Sequence, residues 1–402
     1  MLYTSGIVHF GFTAVFEPIA KEFGWSYTQI SLASSLRGLE TGLLAPVVGL
    51  LVDRQGPRRL IFFGSCVTGL GLIALSRVNS LPEFYGAFVV ISVGGSFTGH
   101  AVMMAAVANW FHRKLAMATG IMASGAALGG FLIPVIVILI DKLDWRTAML
   151  ILGLGTWAIC LPLSLLVRDH PEQYGYLPDG DDNRKVSTGG SRGSDHSNEE
   201  VNFTAREAMK KRAFWHIAIA LTIHSLVMSA ILTHVMPYLS SIGIPRLTAG
   251  LVATAIPIAS ISGRLGFGWL GDRLEKRRVA AAGFALAGLG LVLFAYVGSV
   301  GMWLLVPFLV IFGIGFGGNV TMRTVLLSRY FGRESFGAIL GFTIGLMTVG
   351  SMIGAPLAGW IFDHWHSYQA AWLTIAALSI AATFIILITP RPEADNGLKT
   401  AG

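Results

Sequence analysis

Twelve apolar runs, each about as long as a bilayer is thick, dominate this chain of 402 residues. A helix needs about 20 apolar residues to cross roughly 30 Å of hydrocarbon. Runs of that size lie near residues 2–20, 28–51, 60–77, 84–108, 116–140, 147–167, 214–239, 248–270, 279–298, 302–326, 336–362 and 369–389. Hydrophobic residues make up 53% of the chain and charged residues 13%, whereas soluble domains carry about 25% charged residues. That balance fits poorly with a soluble enzyme, a nucleic-acid binder or a disordered scaffold. Cys66 and Cys160 sit inside apolar runs, with neither a disulfide framework nor metal-ligand spacing around them. No phosphate-binding GxxxxGK[ST] loop is present. The expectation is an integral membrane protein that needs no metal or cofactor and engages no nucleic acid.

One connection is long. Residues 168–212 are polar, contain no apolar run, and end in the basic amphipathic piece Phe203–Arg212. The stretch reads as a mobile linker. It divides the chain into a six-span bundle (1–167), a linker (168–212), a second six-span bundle (213–390) and a tail (391–402). With the N-terminus inside, 21 of the 29 Lys and Arg residues fall in cytoplasmic segments, 5 fall outside, and 3 lie within spans. By the positive-inside rule both termini and the linker are cytoplasmic. The net charge of +7 is then a topology signal. No cleavable signal peptide is expected, because apolar residues begin at Leu2 without a basic region before them.

The two halves echo one another. Gly49, Asp53, Arg54, Arg58 and Arg59 return at an offset of 219 as Gly268, Asp272, Arg273, Arg277 and Arg278. Trp110-Phe111-x-Arg113, followed by Gly120, Pro134 and Asp141, returns as Tyr330-Phe331-x-Arg333, followed by Gly341, Pro356 and Asp363. Parallel six-helix repeats are a transporter architecture with the substrate site near the midplane. The run GLLVDRQGPRR resembles the signature loop between helices 2 and 3 of the major facilitator superfamily. The resemblance implies an all-α membrane protein with twelve transmembrane helices in two pseudo-symmetric six-helix bundles, working as a monomer. It also implies that Asp53 sits against a helix N-terminus of the other half and, with its arginines, latches the cytoplasmic side. The alternative for these residues is topology alone.

The run WFHRKLAMATGIMASGAALGG, from Trp110 to Gly130, resembles the helix 4–5 junction of monocarboxylate transporters and of their bacterial oxalate/formate antiporter-like relatives. RDHPEQYGYLPDG, which follows the sixth span, is similar to the linker start of prokaryotic members. The resemblance places the chain in a bacterial inner membrane. The drug–proton antiporter signature wants a Gly-Pro pair, where this chain has Gly125-Ala126. Arg264 lies eight residues before Asp272, about 12 Å inside the helix end. A charge at that depth needs a partner or a wet cavity. The family's matching arginine binds the substrate carboxylate, and the resemblance extends that role to Arg264. An ion pair with Asp272 or Glu275 is the alternative. The chain departs from the family at Ser260, where animal members carry an acid, and in lacking lysines in the first span and in 336–362. The first span opens almost at Met1, which raises the expectation of a start upstream.

Three further charges lie within or near spans. Glu17, Arg37 and Glu40 read as two acids around one base close to the outer surface. One acid would then be unpaired and suited to carry a proton, Glu40 being the deeper. A static outer latch is the equal alternative. His234 and Tyr238 on the seventh span are candidates for substrate contact, and His234 also for proton carriage. His224 ranks below them. Asn319 and Arg323 are candidate cavity groups on the tenth span. Arg323 lies near the depth of Arg264, so two cations there would suit an anion; an inner gate with Glu334 or Asp272 is its alternative. Phe12 and Phe16 are candidates to shape the pocket, or are core. The expected function is secondary transport of a small organic anion, a monocarboxylate coupled to protons, by alternating access. Efflux of amphipathic compounds and anion exchange on the same fold are the alternatives.

Overall fold

Residues 1–111, 115–169, 171–174, 203–332 and 336–390 are described by the computed structural model of the chain, and they form helices and short connections with no strand among them. Ten helices among the described residues have the length and apolarity to cross a membrane. Two of the expected runs are helical but fall outside that set. The first breaks into Leu2–Ser5, a π-helical turn at Gly6–Phe10, and Phe12–Phe23, each too short alone. The second, Tyr27–Gln55, is one continuous helix that includes Arg37, Glu40 and Arg54. The expected run at 84–108 is also interrupted, with helices Leu81–Phe97 and His100–Trp110 meeting at Thr98 and Gly99.

The described residues gather into two compact units, and the division does not follow the linker. The first unit contains the chain before the linker together with 230–258; the second contains the described residues up to Ser229 together with 259–390. The Arg212–Ser241 and Arg246–Arg273 helices each contribute to both units.

In the first unit, local sequence sets the helix ends. Ser26 and Gln29 form a reciprocal capping box that opens Tyr27–Gln55. Gly56 closes that helix at φ +78°, a conformation L side chains avoid. A Cβ there would also come 2.7 Å from the Asp169 carboxyl. Pro57 then opens the next helix at its first position, where the backbone N–H of Arg58 donates to Asp169 Oδ1 at 2.8 Å. Between helices, small residues bring backbones together, as packing in lipid demands because it lacks a hydrophobic drive. A Cβ on Gly6 would lie 2.6 Å from the Gly129 carbonyl oxygen, and Trp157 donates across to the Cys66 carbonyl at 3.0 Å. Such interhelical bonds contribute about 0.6 kcal/mol each.

The second unit packs in the same way. Gly350 and Gly354 of Phe336–Trp365 lie against the Thr222 and Leu226 carbonyls. Gly317 of Leu305–Phe331 faces the backbone of Ser260 and Arg264 so closely that any Cβ would collide with the Ser260 carbonyl. Phe294, Phe308, Phe312 and Phe316 stack in sequence, with ring centroids 4.2 to 5.9 Å apart. The end of the linker docks here: the Phe203 N–H donates to the Phe331 carbonyl at 3.1 Å.

Candidate functional site

The candidate residues fall into two groups, one in each unit. The group in the second unit is centred on Arg264, nine residues before the end of the Arg246–Arg273 helix. The close fit at Gly317 fixes its backbone, and the Thr321 hydroxyl donates to its carbonyl oxygen at 3.2 Å. Its guanidinium is half-buried, and the Nε atom is shut off from solvent with no hydrogen-bond partner among the described residues. Glu275, one alternative partner, instead pairs with Arg277 at 3.2 Å and Arg278 at 2.8 Å. Asp272 is exposed.

Arg323 lies on the neighbouring Leu305–Phe331 helix, seven residues after Phe316 and so on the same face. Its Nη1 points at Met347 Sδ, 3.9 Å away, and its Nε is likewise buried without a partner among the described residues. His224 stacks on Phe316 at 5.4 Å and meets the edge of Phe284 at 6.3 Å, with Nε2 buried and unbonded among the described residues. Asn319 is fully buried, but its amide oxygen lies against Gly283, so it faces the Lys276–Ala295 helix. Arg264 and Arg323, each set in an apolar helix with no carboxylate in ion-pair reach among the described residues, are each suited to an anion, which Arg holds by paired hydrogen bonds.

The group in the first unit is, by contrast, interlocked. His234 is completely buried, its Nε2 2.9 Å from Ser31 Oγ and its ring 5.1 Å from Phe16. Ser34 and Thr233 hydroxyls pair at 3.2 Å, and the Met236 N–H donates to Thr13 at 3.3 Å. Tyr238 is buried in the same unit. Phe12 packs edge-on to Phe88 at 4.9 Å and lines a small crevice whose other walls, including Ile136 and Leu152, are apolar. That crevice offers an anion no donor.

Glu17 was expected beside Arg37. Its described partners are Lys21 at 2.9 Å and Arg246 at 3.8 Å. Arg246 also pairs with Asp141 at 3.0 Å and donates to the Ala14 carbonyl at 3.0 Å. Nothing in the sequence pointed to Arg246, Ser31 or Thr233, because their partners lie more than a hundred residues away. The side chains of Arg37, Glu40 and Asp53, and all of Glu334, lie outside the described residues. Of the other gate candidates, Gly49, Arg54 and Arg59 are exposed, and Gly268 has open space at its Cβ up to Thr321, 3.9 Å away. Arg273 stacks over Trp269 of its own helix at 4.1 Å. Arg277 donates to the Thr389 carbonyl at 3.1 Å.

Comparison with known proteins adds the family. The model of the Major Facilitator Superfamily matches residues 2–263 and 235–402. Monocarboxylate transporter 12 of Rattus norvegicus is 27% identical over 378 residues, covering 90% of this chain and 78% of the relative. The human protein of the same name is 28% identical over 370 residues, covering 87% and 71%. The solved nucleoside transporter NupG superposes with a TM-score of 0.73 at 14% identity, over 96% of this chain and 98% of its own, a likeness of fold. The chain therefore belongs to the Major Facilitator Superfamily, in its monocarboxylate-transporter-like branch, and is a multi-pass membrane transporter rather than an enzyme.

Proposed function

We propose that the protein is a proton-coupled secondary transporter of small monocarboxylates, and that Arg264 holds the carboxylate. The observation that carries this reading is the Arg264 guanidinium, set mid-helix among apolar residues with its buried Nε unpartnered among the described residues. Burying a charge is costly unless it is paired and hydrogen-bonded, so a bound carboxylate supplies what the described residues do not. The similarity to monocarboxylate transporters supports the same substrate class.

In this reading the ten span-length helices, together with the runs at 2–20 and 28–51, make twelve spans in two bundles, 1–167 and 213–390. The bundles rock about the site to expose it to each side in turn. Arg323 adds positive potential, and the proton rides on an acid among Glu17 and Glu40, or on His234. The helix ends and turns at Gly49–Arg59 and Gly268–Arg277, with Glu334, gate the cytoplasmic side. The protein works as a monomer in a bacterial inner membrane with both termini inside.

Proteoliposome uptake of labelled lactate, pyruvate, acetate and bulkier acids, with and without an inward proton gradient, tests this. Saturable uptake driven by the gradient and lost in Arg264→Ala is the expected outcome. Carboxylate uptake indifferent to Arg264 overturns the site. No carboxylate uptake at all leaves the fold with efflux of amphipathic compounds or anion exchange.

A further inference from the structure

One heavily cross-linked charge is not among the residues the sequence singled out. Arg246 begins its helix after the Gly243 turn and collects three partners from two other helices. Asp141 ends the Leu132–Leu143 helix and pairs with it at 3.0 Å, while Glu17 at 3.8 Å and the Ala14 carbonyl at 3.0 Å come from Phe12–Phe23. Below this layer the contacts between the same chain regions continue. Thr254 donates to the Gly130 carbonyl at 2.8 Å, Ser34 meets Thr233, and Ser31 meets His234. The 230–258 segment is thus stitched to helices of the first half by polar contacts from its start to its end, with Arg246 the one Lys, Arg, Asp or Glu that the segment contributes.

We propose that Arg246 is the gating residue of the transport cycle: with Glu17, Asp141 and the Ala14 carbonyl it forms a lock that holds this end of the path closed. The inference rests on the alternating-access reading above. Opening that end parts the 230–258 segment from the first-half helices, so the lock breaks and re-forms once per cycle. The lock is reversible because it is not dry. Side-chain exposures of 23% for Arg246 and 45% for Asp141 leave both ions reachable by water as they separate. A fully buried pair would leave its charges stranded. Hydroxyl pairs such as Ser34–Thr233 exchange protein partners for water at small net cost. On this assignment Glu17 serves the closed state as an anion.

The test reads closure directly and needs no substrate. Ala230, completely buried one turn from His234, is replaced as Ala230→Cys in a Cys66→Ser, Cys160→Ser background. Its reaction with a bulky water-soluble maleimide is timed in nanodiscs. Arg246→Gln is expected to speed labelling severalfold, the scale of effect of a partly solvent-exposed ion pair. Asp141→Asn gives a smaller increase, and the charge swap Arg246→Asp with Asp141→Arg returns the rate towards the parent. Equal labelling rates in parent and Arg246→Gln overturn the lock, as does a swap that fails to restore closure in a protein that elutes as the parent does. Should Arg246→Gln fail to insert, Asp141→Asn and Arg246→Lys carry the same comparison. If labelling responds while no carboxylate is transported, the lock stands and the substrate reading falls; the reverse result separates them the other way.

Discussion

Two sets of arginines behave in opposite ways. Arg246 meets two carboxylates and a backbone carbonyl, and Arg146 meets Glu22 at 2.8 Å and stacks over Trp145 at 4.7 Å. The Nε atoms of Arg246, Arg264 and Arg323 are all buried without a hydrogen bond among the described residues, but Arg264 and Arg323, set within their helices, also have no carboxylate in ion-pair reach among those residues. Position explains the difference. Near helix ends, acids such as Glu17, Glu22 and Asp141 are tolerated because water reaches them, so a cation finds partners there. Mid-helix, each added acid carries its own insertion cost, and around Arg264 and Arg323 the sequence places no acid within a turn. Arginines of the first set are held by partners in the protein; on the proposed reading those of the second meet the ligand.

Removing a member of the second set gives the largest effect. Arg264→Ala is expected to lower carboxylate uptake efficiency by about 10- to 100-fold, the loss of a charge-assisted hydrogen bond of roughly 1.5–3 kcal/mol, with the fold retained by circular dichroism. A thermal unfolding shift without loss of uptake would move Arg264 into the structural set. Arg323→Gln is expected to do less, because its nearest described polar contact is the Met347 thioether. A severalfold rise in KM with little change in maximal rate places it beside Arg264, while unchanged KM separates the two.

Gly317→Ala sharpens the comparison from the side of packing. Its methyl would collide with the Ser260 carbonyl and crowd the Arg264 backbone. Overpacking of this kind costs about 1–3 kcal/mol, read as lower thermal stability in detergent together with weaker substrate binding. Asp169→Ala, in the first unit, removes the carboxylate that caps Pro57–Leu75 at the Arg58 N–H. Its loss is expected to cost about 0.5–2 kcal/mol of stability and to leave KM alone.

The smallest effect is a pH dependence at Glu22. Partial burial pushes this carboxyl up, but hydrogen bonds from Trp145 and Arg146 outweigh it and hold the group below its ordinary range. A carboxylate whose pKa is lowered by folding adds stability above its unfolded pKa and loses it as pH falls through the folded value. Melting temperature should therefore drop on acidification below the usual glutamate range, and Glu22→Gln should flatten that drop. The side chain is 40% exposed, so solvent screens the effect. An acid limb identical in both proteins would remove Glu22 from the account.

Much of the fold was legible because hydrophobic length is a local property. The interruption of the first helix at Gly6–Phe10 was not, since it accompanies a close approach to Gly129, more than a hundred residues distant. The repeat, too, was visible as letters, yet its contacts differ in kind. Asp169 uses its side chain to hold the Arg58 backbone, whereas the Arg277 side chain holds the Thr389 backbone. The depth of Arg264 and Arg323 could be counted from the helix ends. That Asn319 turns towards Gly283 could not, because a helical wheel does not say which neighbour fills each face.

By itself the sequence determined that this chain lives in a membrane, where the long polar break falls, and which rare charges must be explained, because the insertion cost of a charge is set by its own position in its own helix. Only the tertiary structure decided how those charges divide. It gave Glu17 to Lys21 and Arg246, gave His234 to Ser31, and left Arg264 and Arg323 with buried nitrogens unsatisfied among the described residues. Pairing depends on the distance between atoms brought together from remote helices, and that distance exists only once the helices have packed.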